Sequence, residues 1–214
     1  MPTLLLRLAA PLQSWGSSSR FEIRTTEKMP TKSGVVGMLA AAMGLRRDAE
    51  LSELNMLKFG VRADCEGEDI TDFHIARSEK SSYVTYRHYL SDAVFLVGLE
   101  GEEKILKTLK IALQNPCFPL FLGRRSCPPT LPIVVGIRDV SLETALCKEA
   151  PLSERHKNML RVQMETDLSD VGMIQDVAIS FHPHRRVYGY RKFREFFVEC
   201  NQTETEHDAM LELG

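Results

Sequence analysis

Leu4 to Ala9 is an almost unbroken apolar run, the length of a strand and covered on both faces. A polar turn follows, from Pro11 through Trp15-Gly16 to Ser19. The next pattern is helical over Lys32 to Met43, with Pro30 ahead of it, Thr31 as N-cap and Gly44 where a C′ glycine belongs. Phe59, Val61 and Ala63 alternate as a strand, and Ile70 to Ala76 reads as its pairing partner. The chain then turns polar, basic and aromatic from Arg77 to Ser91, and apolar again from Ala93 to Leu99. Over Glu102 to Gln114, Ile105, Leu106, Leu109, Ala112 and Leu113 share one helical face, and Leu131 to Ile137 closes the series as a strand.

This order predicts an α+β fold: a ferredoxin-like (RRM-like) palm over residues 1–137 with an inserted β-hairpin thumb at about 76–92. Residues 138–214 read as a small β-rich region packed on the palm. It has a short helix near Leu142 to Cys147 and strands at Leu160 to Thr166, Met173 to Ser180 and Phe196 to Val198.

Composition narrows the class. No apolar run nears the roughly 20 residues that span a bilayer, and the first residues lack a signal peptide's basic start, so a soluble, cytoplasmic chain is expected. The five cysteines form no C-x-x-C pair and no zinc-finger spacing, which points to buried reduced thiols and calls for neither metal nor cofactor. A net charge of −2 is modest, but its distribution is uneven. Up to residue 47, Arg7, Arg20, Arg24, Lys28, Lys32 and the Arg46-Arg47 pair face only Glu22 and Glu27. A second basic cluster runs from Arg185 to Arg194, and the tail beyond it is acidic. That asymmetry fits a basic groove on a near-neutral body, although charge runs are also common on solvated faces.

Four places carry candidate chemistry. Thr31-Lys32-Ser33-Gly34 starts a helix with a lysine, which opposes the positive end of the helix dipole; free N–H groups, two hydroxyls and that lysine suit a phosphate. Gly34, Gly37 and Ala41 leave one side slim enough for another backbone to approach. The alternative is a capped helix packed on a sheet. Gly123-Arg124-Arg125-Ser126 is a glycine-led basic loop stiffened by Pro128 and Pro129, suited to bidentate phosphate contacts. In the thumb, Tyr83 and Tyr86 alternate with Arg77, Lys80 and Arg87, so rings stack on unpaired bases while cations meet phosphates. The alternative there is cross-strand tyrosine pairing. The fourth place is Phe181 to Arg191, where His182 and His184 lack a third metal ligand and Arg186 and Arg191 favour RNA.

Leu6-Arg7-Leu8-Ala9-Ala10-Pro11-Leu12-Gln13-Ser14-Trp15-Gly16, Pro30-Thr31-Lys32-Ser33-Gly34-Val35-Val36-Gly37, Arg87-His88-Tyr89-Leu90-Ser91-Asp92-Ala93 and Leu122-Gly123-Arg124-Arg125-Ser126-Cys127-Pro128 stand in order along the chain. Together they resemble the CasD subunits of type I-E CRISPR Cascade complexes. The resemblance implies an RNA-binding, non-catalytic subunit that caps the 5′ handle of the CRISPR RNA inside a hetero-oligomeric complex. It further implies contacts with a CasC-type backbone subunit and a CasA-type large subunit, with target DNA met only indirectly. It places Gln13 and Trp15 on the RNA-facing side, although Trp15 equally suits a buried packing anchor. Two rivals remain at this level. One is a metal-independent endoribonuclease of the type I-C kind using Tyr83, His88 or Lys80, and the other is a protein-interaction module without RNA.

Overall fold

The computed structural model describes residues 1–16, 23–77 and 81–200. The apolar runs became the strands of one sheet. β1 (Thr3–Ala9) lies between β7 (Val94–Glu100) and β8 (Val134–Arg138), antiparallel to both, and β4 (Lys58–Cys65) pairs antiparallel with the other side of β7. Along β1 the side chains divide by parity: Leu4, Leu6 and Leu8 enter the larger core, whereas Leu5 enters a smaller one on the opposite face. The larger core lies under α1 (Lys32–Ala42) and α3 (Glu103–Gln114), the smaller under α4 (Leu142–Lys148). Because both faces are covered, β1 needs no polar alternation.

The sheet does not stop at four strands. β9 (Met159–Glu165) pairs with β4, β11 (Arg185–Glu199) with β9, and β10 (Gly172–His182) with β11, giving seven strands in the order β10-β11-β9-β4-β7-β1-β8. The far strand β10 comes back into contact with α1. Helix α1 therefore has protein on both sides, which is why its sequence KSGVVGMLAAA shows so little amphipathicity. By contrast α3 turns only Leu106, Leu109 and Leu113 fully inward and leaves Lys104 and Lys107 exposed.

The thumb is larger than its basic-aromatic stretch suggested. β5 (Glu68–Arg77) and β6 (Ser82–Ser91) form a regular hairpin, joined on the far side of β6 by the short β2 (Leu12–Gln13) and β3 (Ile23–Arg24). The expected pairing of residues 70–76 with the 59–63 strand is corrected: Ile70 faces Tyr89 and Ala76 faces Tyr83, within the hairpin. Period-2 patterning marks a strand but does not choose its partner. The remaining helix, α2 (Ser52–Asn55), is a single turn. All five cysteines are free thiols, but only Cys127 is buried and Cys117 is exposed, so the expectation of buried thiols holds for one of them. No helix among the described residues is long and apolar enough to cross a membrane.

Candidate nucleic-acid interface

The N-terminus of α1 is built as its sequence suggested, but its use differs. Thr31 accepts from the Gly34 N–H at 3.3 Å, a side-chain N-cap. The positive helix end already has its anion: Asp176, from β10, accepts from the Lys32 N–H at 2.8 Å and takes both Nε (2.7 Å) and Nη2 (2.9 Å) of Arg191. The Lys32 ammonium points the other way, donating to both oxygens of Glu165 (3.1 and 2.9 Å) and to the Asn55 carbonyl. Lys32 and Arg191 are 3% and 5% exposed, so neither is open to a phosphate; both expectations are corrected. Each cation is held by a carboxylate far along the chain, a partnership that no local pattern announces.

Gln13 is corrected in the same sense, and Trp15 takes its alternative as a buried packing anchor. Gln13 is fully buried and donates to the carbonyls of Leu8 (3.2 Å) and Ala93 (2.7 Å), while its Oε1 accepts from the Trp15 indole at 3.2 Å. The indole lies against Gly34, where a Cβ would stand 2.9 Å from Trp15 Cε3. The slim side of α1 thus receives aromatic rings, Trp15 at Gly34 and Phe181 at Gly37, rather than a backbone.

Beside this packed end runs an open groove of about 1080 Å³. Gly37, Ala40 and Ala41 of α1 floor it, Phe118, Phe121, Phe181 and Tyr188 supply aromatic wall, and Thr31, Ser33, Gly34 and Gly123 also border it. Five arginines line it (Arg24, Arg46, Arg47, Arg124 and Arg186), and no aspartate or glutamate does among the described residues. Of these, Arg124 and Arg186 were singled out in the sequence. Arg24, Arg46 and Arg47 stood out there only as part of the basic stretch up to residue 47, and the tandem Arg46-Arg47 just beyond a helix end was the available signal.

The glycine-led loop forms the wall nearest the thumb. Gly123 has φ +85°, and a Cβ there would overlap the Ser14 carbonyl oxygen. The Ser14 N–H donates to Leu122 O, and Ser14 Oγ donates to His88 O, so loop, first turn and hairpin base are stitched together. Arg124 sits at the junction: Nη2 donates to Arg24 O at 2.7 Å and its guanidinium lies 4.7 Å from the Tyr89 ring centre. Arg125 and Ser126 are exposed at the loop tip. Burial pushes the Tyr89 phenol up, but hydrogen bonding with Ser126, Arg124 and Arg87 and the Arg124 charge outweigh it, so the phenol ionises below its ordinary value.

A depressed acid adds stability that is complete above the unfolded-state value and lost as pH falls through the folded one. Alkaline titration at the phenolate absorbance is therefore expected to show one of the five tyrosines ionising early. Arg124→Ala should shift that tyrosine's ionisation upward, toward the main population, with the Ser126 and Arg87 contributions left in place. An unchanged titration curve in the variant would remove the electrostatic role assigned to Arg124.

The thumb residues divide between two faces. Pairing of Asp72 with Arg87 and Ala76 with Tyr83 puts Tyr83, Arg87 and Tyr89 on one face, the side of Arg124. Arg77, Tyr86 and His88 share the other with exposed Phe73, Ile75 and Val84. Tyr83 and His88 consequently point to opposite sides of the hairpin. His88 Nδ1 lies 3.0 Å from Thr71 Oγ1, and His74 pairs with Asp72 at 2.9 Å. Lys80 lies outside the described residues. His182 and His184 sit exposed at the β10–β11 turn, and no cluster of three or more His, Cys, Asp or Glu able to hold a metal occurs among the described residues.

An arginine-lined groove without a carboxylate among its described residues, on an α+β body with a protruding hairpin, is the form of a nucleic-acid-binding subunit. A family model for CRISPR-associated protein (Cas_Cas5) matches residues 3–194, and the chain belongs to that family. It is 34% identical over 157 residues to the CRISPR system Cascade subunit CasD of Escherichia coli (strain K12), covering 62% of this chain and 70% of that protein. Among solved structures, it matches a chain of a CRISPR RNA-guided surveillance complex with TM-score 0.81 and 34% identity, over 92% of this chain and 90% of the other. A second, described as the crystal structure of a Cas protein, matches with TM-score 0.77 and 40% identity, over 92% and 95%.

Proposed function

We propose that this chain is a non-catalytic RNA-binding subunit of a CRISPR interference complex, holding the 5′ handle of the CRISPR RNA. The observation that carries it is the groove: five arginines without a carboxylate among the described residues, beside aromatic rings and a small-residue floor, on a chain of net charge −2. Phosphates on the cations and bases on the apolar surface describe a single strand held by its backbone. The strand order β8-β1-β7-β4, with α1 and α3 on one face, supports reading residues 1–137 as a ferredoxin-like palm carrying the thumb. The described part of the C-terminal region, residues 138–200, extends that palm through β9, β11 and β10. The CasC-type backbone subunit and CasA-type large subunit are the proposed protein partners, met in the cytoplasm. The exposed apolar hairpin face of Phe73, Ile75, Val84 and Tyr86 suits a protein contact better than a phosphate backbone.

The test is a titration of fluorescent handle RNA with the purified chain across salt. Affinity that falls steeply and log-linearly with salt, with the RNA recovered intact, is expected. Cleavage of repeat RNA without added metal, abolished by Tyr83→Phe or His88→Ala, would replace this reading with the endoribonuclease one. Absence of salt-dependent binding would favour a protein-interaction module.

A further inference from the structure

Several arginines of this near-neutral chain are committed to carboxylates within it. Arg62 is buried on Asp64 at 2.6 Å, Arg191 on Asp176, Arg138 on Glu149 and Arg194 on Glu143. Arg46, Arg47 and Arg186 differ. All three are exposed, all three line the groove, and none has an ion-pair partner among the described residues.

The backbone under Arg46 and Arg47 is fixed. Helix α1 ends in a Schellman arrangement, with Gly44 (φ +76°) donating to Ala41 O at 3.2 Å and Leu45 to Ala40 O at 2.8 Å. The Cys117 N–H closes the Ala42 carbonyl at 3.0 Å, and Phe118 shares that of Ala41. The last carbonyls of α1 are thus satisfied by backbone N–H groups, and the two guanidinium groups are not needed as helix caps. Past the Leu45 anchor, two adjacent arginines leave a rigid helix end beside the groove. From across the sheet, β11 delivers Arg186, whose strand partner Phe181 turns its ring onto Gly37 on the groove floor.

Resting on the functional reading above, we infer that Arg46, Arg47 and Arg186 form a second phosphate-binding bank, remote in sequence from the Arg124-Arg125 loop, and that it takes single-stranded nucleic acid. Free guanidinium groups at a cost to near-neutral balance suit a polyanion. An acidic peptide would satisfy the cations equally well. It would leave the Phe181, Tyr188 and Phe118 rings and the small-residue floor without a partner, whereas an unstacked base covers them. A rigid duplex keeps its bases stacked inside and offers the floor nothing.

The experiment uses the full chain with a fluorescent single-stranded handle RNA, titrated from low to physiological salt, and the variant Arg46→Ala with Arg47→Ala. Each single-strand phosphate contact contributes roughly 0.7 to the slope of log affinity against log salt. The variant should lose about 1.4 of that slope and roughly tenfold in affinity at physiological salt, while its unfolding midpoint is unchanged. Arg46→Lys with Arg47→Lys should keep the slope, and Arg186→Ala should lose about half as much as the double alanine variant. Single-stranded DNA of the same sequence should compete with the RNA, distinguishing backbone from 2′-hydroxyl recognition by its strength; duplex RNA and polyglutamate of equal charge should compete poorly. Equal competition by polyglutamate would make the bank an acidic-protein site and overturn the inference. So would an unchanged slope in the alanine variant while Arg125→Ala weakens binding, an outcome that leaves the functional reading standing. No RNA binding by the unmodified chain would remove both.

Discussion

Replacing Asp176 with alanine is expected to lower folding stability by about 3–5 kcal/mol, the cost of leaving a buried charge without its partner. Asp176 has no exposed surface and receives three donors: Nε and Nη2 of Arg191 and the first helical N–H of α1. Its removal strands a guanidinium that is 5% exposed over the Phe59 ring, and at the same time takes the anion from the positive end of a helix with no acidic residue in its first turn. Against a total stability of about 5–15 kcal/mol for a typical protein, that loss is a large fraction. Urea unfolding followed by circular dichroism measures it as a shift in midpoint at constant slope. Asp176→Asn retains an acceptor for the Lys32 N–H and should lose less. A shift in Asp176→Ala worth under about 1 kcal/mol, the level of an exposed ion pair, would mean that the carboxylate is solvated and that β10 is not pinned to α1.

That carboxylate also marks what the sequence held and what it withheld. The start of α1 was legible: Thr31 as cap, Lys32 as a cation against the dipole, Gly44 as the C′ residue all lie within a few turns. The answer to Lys32 was not legible, because the balancing groups sit 144 and 133 residues further on, at Asp176 and Glu165. A local rule break was read as a ligand site when it was an internal ion network, and only the return of β10 onto α1 makes that clear. The same distance hides the groove. Gly123 and Arg124 form one recognisable loop, but Arg24, Arg46 and Arg186 reach the groove from β3, from beyond the end of α1 and from β11. Charge asymmetry along the chain signalled their number but not their convergence. In the thumb, residue types were legible while partners were not: alternation alone sets Tyr83 and Tyr86 on opposite faces, but only the register with β5 shows that Tyr86 shares its face with Phe73, Ile75 and Val84.

The tryptophan supplies the other large effect. A ring beside a basic groove suggests base stacking, but Trp15 is 1% exposed, its indole N–H is satisfied by Gln13, and Gly34 is the only residue type that leaves room for it. Trp15→Ala is therefore expected to cost about 3–5 kcal/mol, the usual price of emptying a buried aromatic site. The Gln13 amide would then lose its donor in a buried position, while its bonds to Leu8 and Ala93 at the edge of β1 remained. Because this is the chain's single tryptophan, its fluorescence reports on the site directly. Packing predicts blue-shifted emission, shielded from acrylamide, that barely changes when handle RNA saturates the protein. Stacking predicts strong quenching at saturation. Trp15→Leu separates the two by affinity as well: an aliphatic side chain fills much of the volume but cannot stack, so a folded Trp15→Leu protein with unchanged RNA affinity fits packing alone. A loss of roughly 1–3 kcal/mol in binding, the size of one base–aromatic stack, would return Trp15 to the interface. In that event the first turn would hold RNA itself, rather than hold the loop and hairpin that border the groove.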